Sequence, residues 1–243
     1  LVAAGGGIAV TSTGYIPRKG WQDNNVTFNN PSPLALPVFR AAEAYLNYIE
    51  AYYLKNTSLD ATCDKYWREL RRRAGVDEDY NKTIAATDLS KEIDLARYSG
   101  TELVDPTLYN IRRERRSEFI ADGMRLNDLY RWRSLDMMQN YWQEGMNYWE
   151  EFHTEFEAAC AACSLNYTAP NDASTSKYLR PQGSNQLVNT NNGYCFESAN
   201  YLSPISYDVF RMSTPEEGGD VSTSVVYQNP GWPVEAGGFA LQD

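Results

Sequence analysis

The 243-residue sequence holds one histidine and four cysteines. His153 stands among acids, with no serine or cysteine nucleophile that pairs with it, so catalysis of the Ser–His or Cys–His kind has no visible apparatus. Zinc takes four ligands. Cys160-x-x-Cys163 offers two, while Cys63, Cys195 and His153 lie at no recognised ligand spacing, so no metal site is assigned. Four cysteines allow three pairings. In an exported protein Cys160 or Cys163 bonded to Cys195 is the expected bridge, with free buried cysteines as the other reading. The chain also lacks any apolar run of membrane-spanning length. Its opening LVAAGGGIAV has no basic start and is too broken by glycine for a signal peptide. Cations are scarce: 22 Lys and Arg face 32 Asp and Glu, a net charge of −10. That balance argues against nucleic acid as a partner. Arg71-Arg72-Arg73 and the RRERR run are interleaved with acids and read as solvated or salt-bridged helix faces. Carboxylate pairs abound, yet none has a setting that marks a glycosidase acid and base.

What the chain has is one dense stretch, DPTLYNIRRERRSEFIADGMRLNDLYRWR, from Asp105 to Arg133. Asp105 is an N-cap and Pro106 a first helical residue. Leu108, Ile111, Arg115, Phe119, Leu126 and Leu129 fall near helical spacing, and Gly123 ends or kinks the first helix. Charges recur three apart: Arg115 with Glu118, Asp122 with Arg125, Asp128 with Arg131. Exposed pairs of this kind contribute only ~0.2–0.5 kcal/mol each. Such density therefore predicts a partly buried network at a helix corner, where a lost partner is costly.

Two further helices precede this stretch. Val38 to Leu54 is amphipathic, with Val38, Ala42, Tyr45, Ile49 and Tyr52 or Tyr53 at helical spacing. After a short turn a second helix runs to Ala74, burying Tyr66, Trp67, Leu70 and Ala74, with Gly75 as its stop. The two make a helical hairpin of the tetratricopeptide type, which needs neighbours to bury its faces. Residues 1–30 read as short strands or extended loop, and Asp88 to Arg97 as a short helix between Asp88 and Gly100.

Aromatics make up 13% of the chain, with 18 Tyr and 6 Trp. Tyr141-Trp142 and Tyr148-Trp149 are repeated seven residues apart in the insertion that follows the central stretch. On one continuous helix they would share a face, but Gly145 between them suggests a turn. They either cover the core or form a solvent-facing platform for sugar rings or other flat ligands. Trp21, in a loop of Asn and Asp, is either a ligand contact or half-buried packing. Ser164 to Thr190 is rich in Asn, Thr, Ser, Pro and Gln and reads as a surface loop.

The pattern Glu114-Arg115-x-x-Glu118-Phe119-x-x-x-Gly123-x-Arg125-x-x-Asp128-Leu129-x-Arg131-Trp132 closely resembles the signature of the SusD/RagB family of surface nutrient-binding lipoproteins. Three other segments resemble the family in its order. They are Thr13-Gly14-Tyr15-x-x-Arg18-Lys19, the run from Pro37 through Arg40, Glu43, Tyr45 and Leu46 to Glu50-Ala51, and Tyr201-Leu-x-Pro204-Ile205 with Gln228-Asn-Pro-Gly-Trp232. Ile49 departs from a common Ala, and Ser206 from a common Pro. Asn-Pro-Gly is turn chemistry that would tuck Trp232 back against the helices.

The resemblance implies a mainly α, SusD-like fold: tetratricopeptide-type helical hairpins packed with an irregular loop-rich region and a few short strands. It implies one domain over 1–243, with the hairpin at 31–75, signature helices at 105–133, a variable insertion at 134–200 and a closing segment at 201–232. In it Glu114, Arg115, Glu118, Phe119, Gly123, Arg125, Asp128, Trp132 and Trp232 are structural. The family's N-terminal lipid anchor and first helical half have no counterpart here, so the chain is expected to be the C-terminal half of a longer protein, with that missing half as a partner. The implied function is non-catalytic capture of a glycan on the outer face of the outer membrane and delivery to a SusC-like TonB-dependent transporter. A peptide-binding lid of the RagB type and a helical-repeat protein scaffold are the alternatives; an acidic hydrolase is a third, with no residues to name for it. No cofactor is expected. Calcium occurs in some relatives, and no loop for it can be placed. Ligand contacts rest on aromatic chemistry alone: Trp21, Tyr141, Trp142, Tyr148 and Trp149.

Overall fold

The computed structural model describes residues 13–15, 19, 37–162, 168–216 and 219–241. It is mainly helical and forms two compact units, 16–134 and 1–15 with 135–243.

In the first unit, α1 (Ala41–Asn56) and α2 (Ala61–Ala74) form the expected hairpin. Asp60 caps α2 by accepting from the Cys63 amide at 2.7 Å. Gly75 closes it at φ +72°, a left-handed turn that a Cβ would strain. Ala42, Leu46 and Ile49 of α1 meet Cys63, Trp67 and Leu70 of α2 in one buried cluster. Full burial of a large side chain stabilises by about 1.5–3 kcal/mol, so this cluster dominates the hairpin's energetics. Tyr45 stacks on Tyr66 with centroids 4.1 Å apart.

Three boundaries differ from expectation. First, α1 begins at Ala41 rather than Val38, and Val38 and Phe39 are exposed. Arg40 holds the entry extended while its guanidinium pairs with Glu118 and Asp122. Second, Ala74 is exposed, and Cys63 takes its place on the buried face of α2. Third, the helix lies at α3 (Tyr80–Ala86), not at 88–97. Tyr80 stacks on Trp67 at 4.2 Å and donates to Asp64, so this tertiary contact decides which capped segment becomes helical. Residues 88–97 are instead turns ending in a single 3-10 turn, Leu95–Arg97, capped by Asp94.

A two-residue antiparallel ladder, β1 (Tyr98–Ser99) with β2 (Glu102–Leu103), leads to α4 (Pro106–Glu118). Asp105 caps α4 by accepting from the Thr107 and Leu108 amides. Leu108, Ile111 and Phe119 are buried, as is Leu129 of α5 (Arg125–Arg131); Leu126 faces out. Gly123, at φ +75°, turns the chain between the two helices.

The charges form the buried network that their density implied, but mostly with distant partners. Only Asp128 and Arg131 pair as spaced, at 2.9 Å. Arg115 donates through Nε to both Asp128 oxygens at 2.7 and 2.9 Å, and through its terminal nitrogen to Asn47. Glu50 of α1 takes the Arg131 fork at 2.7 Å on each oxygen, and the Trp132 indole N–H. Glu114 accepts from Trp67 and Arg71 of α2. Glu118 pairs with Arg40 and Arg73, and Asp122 with Lys19. Arg125 and Arg116 converge on Asp94. Arg112 satisfies the Ala96 and Tyr98 carbonyls and the Ser99 hydroxyl; burial lowers its pKa to about 10. The signature thus locks α1, α2, α4 and α5 together, which explains why each position needs its own residue type: geometry and charge must both fit.

The second unit is loop-rich. It holds a five-residue π turn at Tyr148–Phe152, α6 (His153–Ala162), α7 (Gln186–Thr190) and α8 (Tyr207–Met212). Its buried apolar residues include Leu135, Tyr148, Cys160, Leu179, Ala199 and Phe210. Ser206 accepts from the Asp208 amide as the cap of α8, a role that proline could not fill. Cys160 and Cys195 are free thiols, as is Cys63, so the expected Cys160–Cys195 bridge is absent. Cys163 lies outside the described residues, as does most of 1–30.

Candidate functional site

The aromatic insertion is not one helix. Residues 142–146 run without helix or strand pairing, and their neighbours at 141 and 147 make isolated bridges to Tyr194 and Tyr178. Gly145 is required there: a Cβ would meet the Thr13 carbonyl oxygen at 2.2 Å, where the Met146 amide donates to that same oxygen. The two doublets therefore lie on different local structures.

Tyr148 is 2% exposed, and its ring makes edge contacts with Trp149, His153 and Phe156. It is a core residue and offers no open face to a ligand, which corrects its place among the candidate contacts. Trp149 is half-buried against His153, with ring centroids 4.6 Å apart. Trp142 is half-buried with the Arg180 guanidinium 4.6 Å over its ring, and Glu144 holds that guanidinium. Tyr141 is half-buried. Trp21 lies outside the described residues.

A cavity of about 420 Å³ opens elsewhere in this unit. Trp232, Tyr194 and Phe239 form aromatic parts of its wall, and Asn191, Cys195, Glu197 and Asn200 supply polar groups. The closing signature builds one side. The Trp232 Nε1–H is shared between the Ala199 and Leu202 carbonyls at 2.9 and 2.8 Å. Gln228 accepts from the Ile205 amide and donates to the Ile205 and Pro233 carbonyls, and Asn229 donates to the Ser203 carbonyl. Gly231, at φ +77°, lets the chain pass so close that a Cβ would lie 2.5 Å from that of Ala199. Trp232 thus tucks against the 3-10 turn at Ser198–Tyr201.

The other side is set by the bridge between Tyr141 and Tyr194. The Tyr194 amide donates to the Tyr141 carbonyl at 2.9 Å, and the Asn140 amide to the Tyr194 carbonyl at 2.8 Å. Gly193, at φ +124°, allows this approach; its Cβ would strike the Asn140 backbone at 2.6 Å. Glu197 and Asn200 fix each other through a reciprocal capping box. Sequence reasoning named Tyr141 and Trp232 without seeing that Trp232 lines a cavity whose Tyr194 wall is held by the Tyr141 backbone. Tyr194, Phe239 and Asn191 were missed; the Asn-Gly pair before Tyr194 was the available signal for a tight backbone crossing.

Among the described residues no group of three or more His, Cys, Asp or Glu side chains is placed to hold a metal ion, and no helix is long and apolar enough to cross a membrane.

The model of the SusD family matches residues 5–232. No curated protein and no solved structure matches the chain. The match runs from before the Thr13-Gly14-Tyr15 segment to Trp232, through every charged residue whose buried partner is described above. The chain belongs to the SusD family, whose members are generally non-catalytic, cell-surface nutrient-binding proteins.

Proposed function

We propose that this chain captures a glycan on the outer face of the outer membrane and passes it to a SusC-like TonB-dependent transporter without altering it. Family membership over residues 5–232 carries this reading. The division of labour within the chain supports it. The first unit spends its charged signature on internal locking, while the second leaves half-exposed aromatic rings beside amides and a cavity of small-ligand size. Aromatic faces take the apolar faces of sugar rings, and the neighbouring amides and carboxylates take their hydroxyls. Trp142 and Trp149, with Tyr141, are the insertion residues proposed to contact ligand; Trp21 is proposed from its sequence setting alone.

Calorimetric titration of the full chain with maltotriose, cellotriose, xylotriose, mannotriose and a tryptic peptide mixture tests the reading. We expect saturable binding of at least one trisaccharide, which is recovered unhydrolysed. Binding of peptides and no trisaccharide would replace the glycan reading with a peptide lid. Binding of neither, with recovery of a stable protein partner instead, would favour the scaffold.

A further inference from the structure

We infer that the cavity between Trp232, Tyr194 and Phe239 is a binding site for a neutral sugar, holding one or two pyranose rings at the closing segment of the chain. This inference rests on the glycan reading above and assigns it a location away from the Trp142 and Trp149 rings.

Size comes first. At about 420 Å³ the cavity lies within the ~300–1,000 Å³ range of small-molecule sites. Preorganisation comes second. The Trp232 ring cannot swing, because its indole N–H is held by two carbonyls, at 2.9 and 2.8 Å. Tyr194 is fixed in backbone position by paired hydrogen bonds with the 140–141 segment. A sugar that stacks on the Trp232 ring, already held in place, loses less of its binding energy to side-chain ordering. Exposure comes third. Phe239 and Leu187, both on the cavity wall, are 89% and 75% exposed. These apolar groups gain by being covered, and they flank polar groups suited to hydroxyls: the Asn191 amide and the Glu197 carboxylate.

Charge then selects among sugars. Among the described residues, the cavity is lined by one carboxylate, Glu197, and by no Lys, Arg or His. A uronate, a phosphorylated sugar or a peptide carboxylate would face that acid with no cation to balance it. The groove at Lys19 and Arg40 differs in carrying both signs, two cations together with Glu43 and Asp122. The cavity at Trp232 therefore fits neutral pyranosides.

The test uses the full chain carrying Cys163→Ser, so that Cys195, exposed and on the cavity wall, serves as a reporter. A trisaccharide identified by titration is used at saturation while Cys195 is labelled with a maleimide. We expect the sugar to slow labelling at least 5-fold. Phe239→Ala and Asn191→Ala, both at exposed positions, should weaken sugar binding roughly 10-fold while leaving the melting temperature unchanged. Tri-galacturonate should bind at least 10-fold more weakly than the neutral sugar, and Glu197→Gln should narrow that gap. Wild-type affinity in both variants with unprotected Cys195 would overturn the cavity assignment and leave the glycan reading intact. Preference for the uronate would overturn the charge argument. If no neutral sugar in the panel binds, the glycan reading fails, and this inference fails with it.

Discussion

Replacement of Asp128 by alanine tests the role of the signature directly. The Asp128 and Arg115 side chains are each 5% exposed and pair at 2.7 Å. Without the carboxylate, Arg131 keeps its two bonds to Glu50, but Arg115 keeps only neutral partners: Asn47, a long contact to the Met124 sulfur and the face of Phe119. A buried guanidinium then has no counter-charge in contact with it. Removing one partner of a buried pair costs about 3–5 kcal/mol, against ~0–1 kcal/mol for an exposed pair. For a chain of this size, about 2–4 °C per kcal/mol gives a fall of roughly 6–20 °C in melting temperature. Guanidinium denaturation followed by tryptophan fluorescence reads the loss, with thermal melting as a second measure. The double variant Arg115→Met with Asp128→Leu removes both charges and should be less destabilised than Asp128→Ala alone. A loss below about 1 kcal/mol for Asp128→Ala would refute the claim that the signature is a buried lock. So would a double variant as unstable as the sum of its singles.

Three further outcomes are expected. Asp94 is buried, a cost that alone would raise its pKa, but Arg125 and Arg116 and the Ala96 amide hold it below the usual carboxylate range. A lowered folded value means that its contribution is present above the unfolded pKa of about 3.9 and is lost as pH falls below that toward the folded value. Asp94→Asn should therefore flatten the acid limb of stability below about pH 4, measured as melting temperature against pH; an unchanged limb would contradict this. Burial, followed by a hydrogen bond with Asp60, pushes the Cys63 thiol up to about 11. A maleimide at pH 7.5 should label Cys195 in the native chain and reach Cys63 only after denaturant is added, as read by peptide mass mapping. Gly231→Ala should cost about 1–2 kcal/mol for its left-handed backbone and about 1–3 kcal/mol for overlap with Ala199. It should also loosen Trp232, visible as lost near-ultraviolet dichroism; a neutral result would mean that the closing turn is slack.

What local chemistry decides was legible in the sequence. The Asp105 cap and Pro106 start α4, Gly75 ends α2, and Trp67 and Leu70 recur at helical spacing on its buried face, where Cys63 rather than Ala74 joins them. Of the signature residues read as structural, the charged ones Glu114, Arg115, Glu118, Arg125 and Asp128 each meet a buried or half-buried partner. Distant partners were not legible. Arg125 lies three residues from Asp122 yet reaches Asp94, because the chain between α3 and α4 folds back onto the corner. Asp88 reads as a helix cap, yet the helix is capped by Asp79 instead, and its first residue, Tyr80, stacks on Trp67. The same limit hid the cavity. Tyr141 and Tyr194 meet through backbone bonds across a long loop, and Phe239 joins the wall from a tail with no periodic pattern. Tyr148 carries the same residue type as its neighbours, and only packing shows that it is core while Trp142 keeps an exposed part.

Capture and hand-over of a nutrient at the cell surface is the central claim. It is tested most directly by affinity purification of the tagged full-length protein from native outer membranes, with intact-mass analysis of what accompanies it. The account predicts a large TonB-dependent barrel recovered in constant proportion to this chain. Recovery of the chain without any barrel, from membranes where one is expressed, would contradict it.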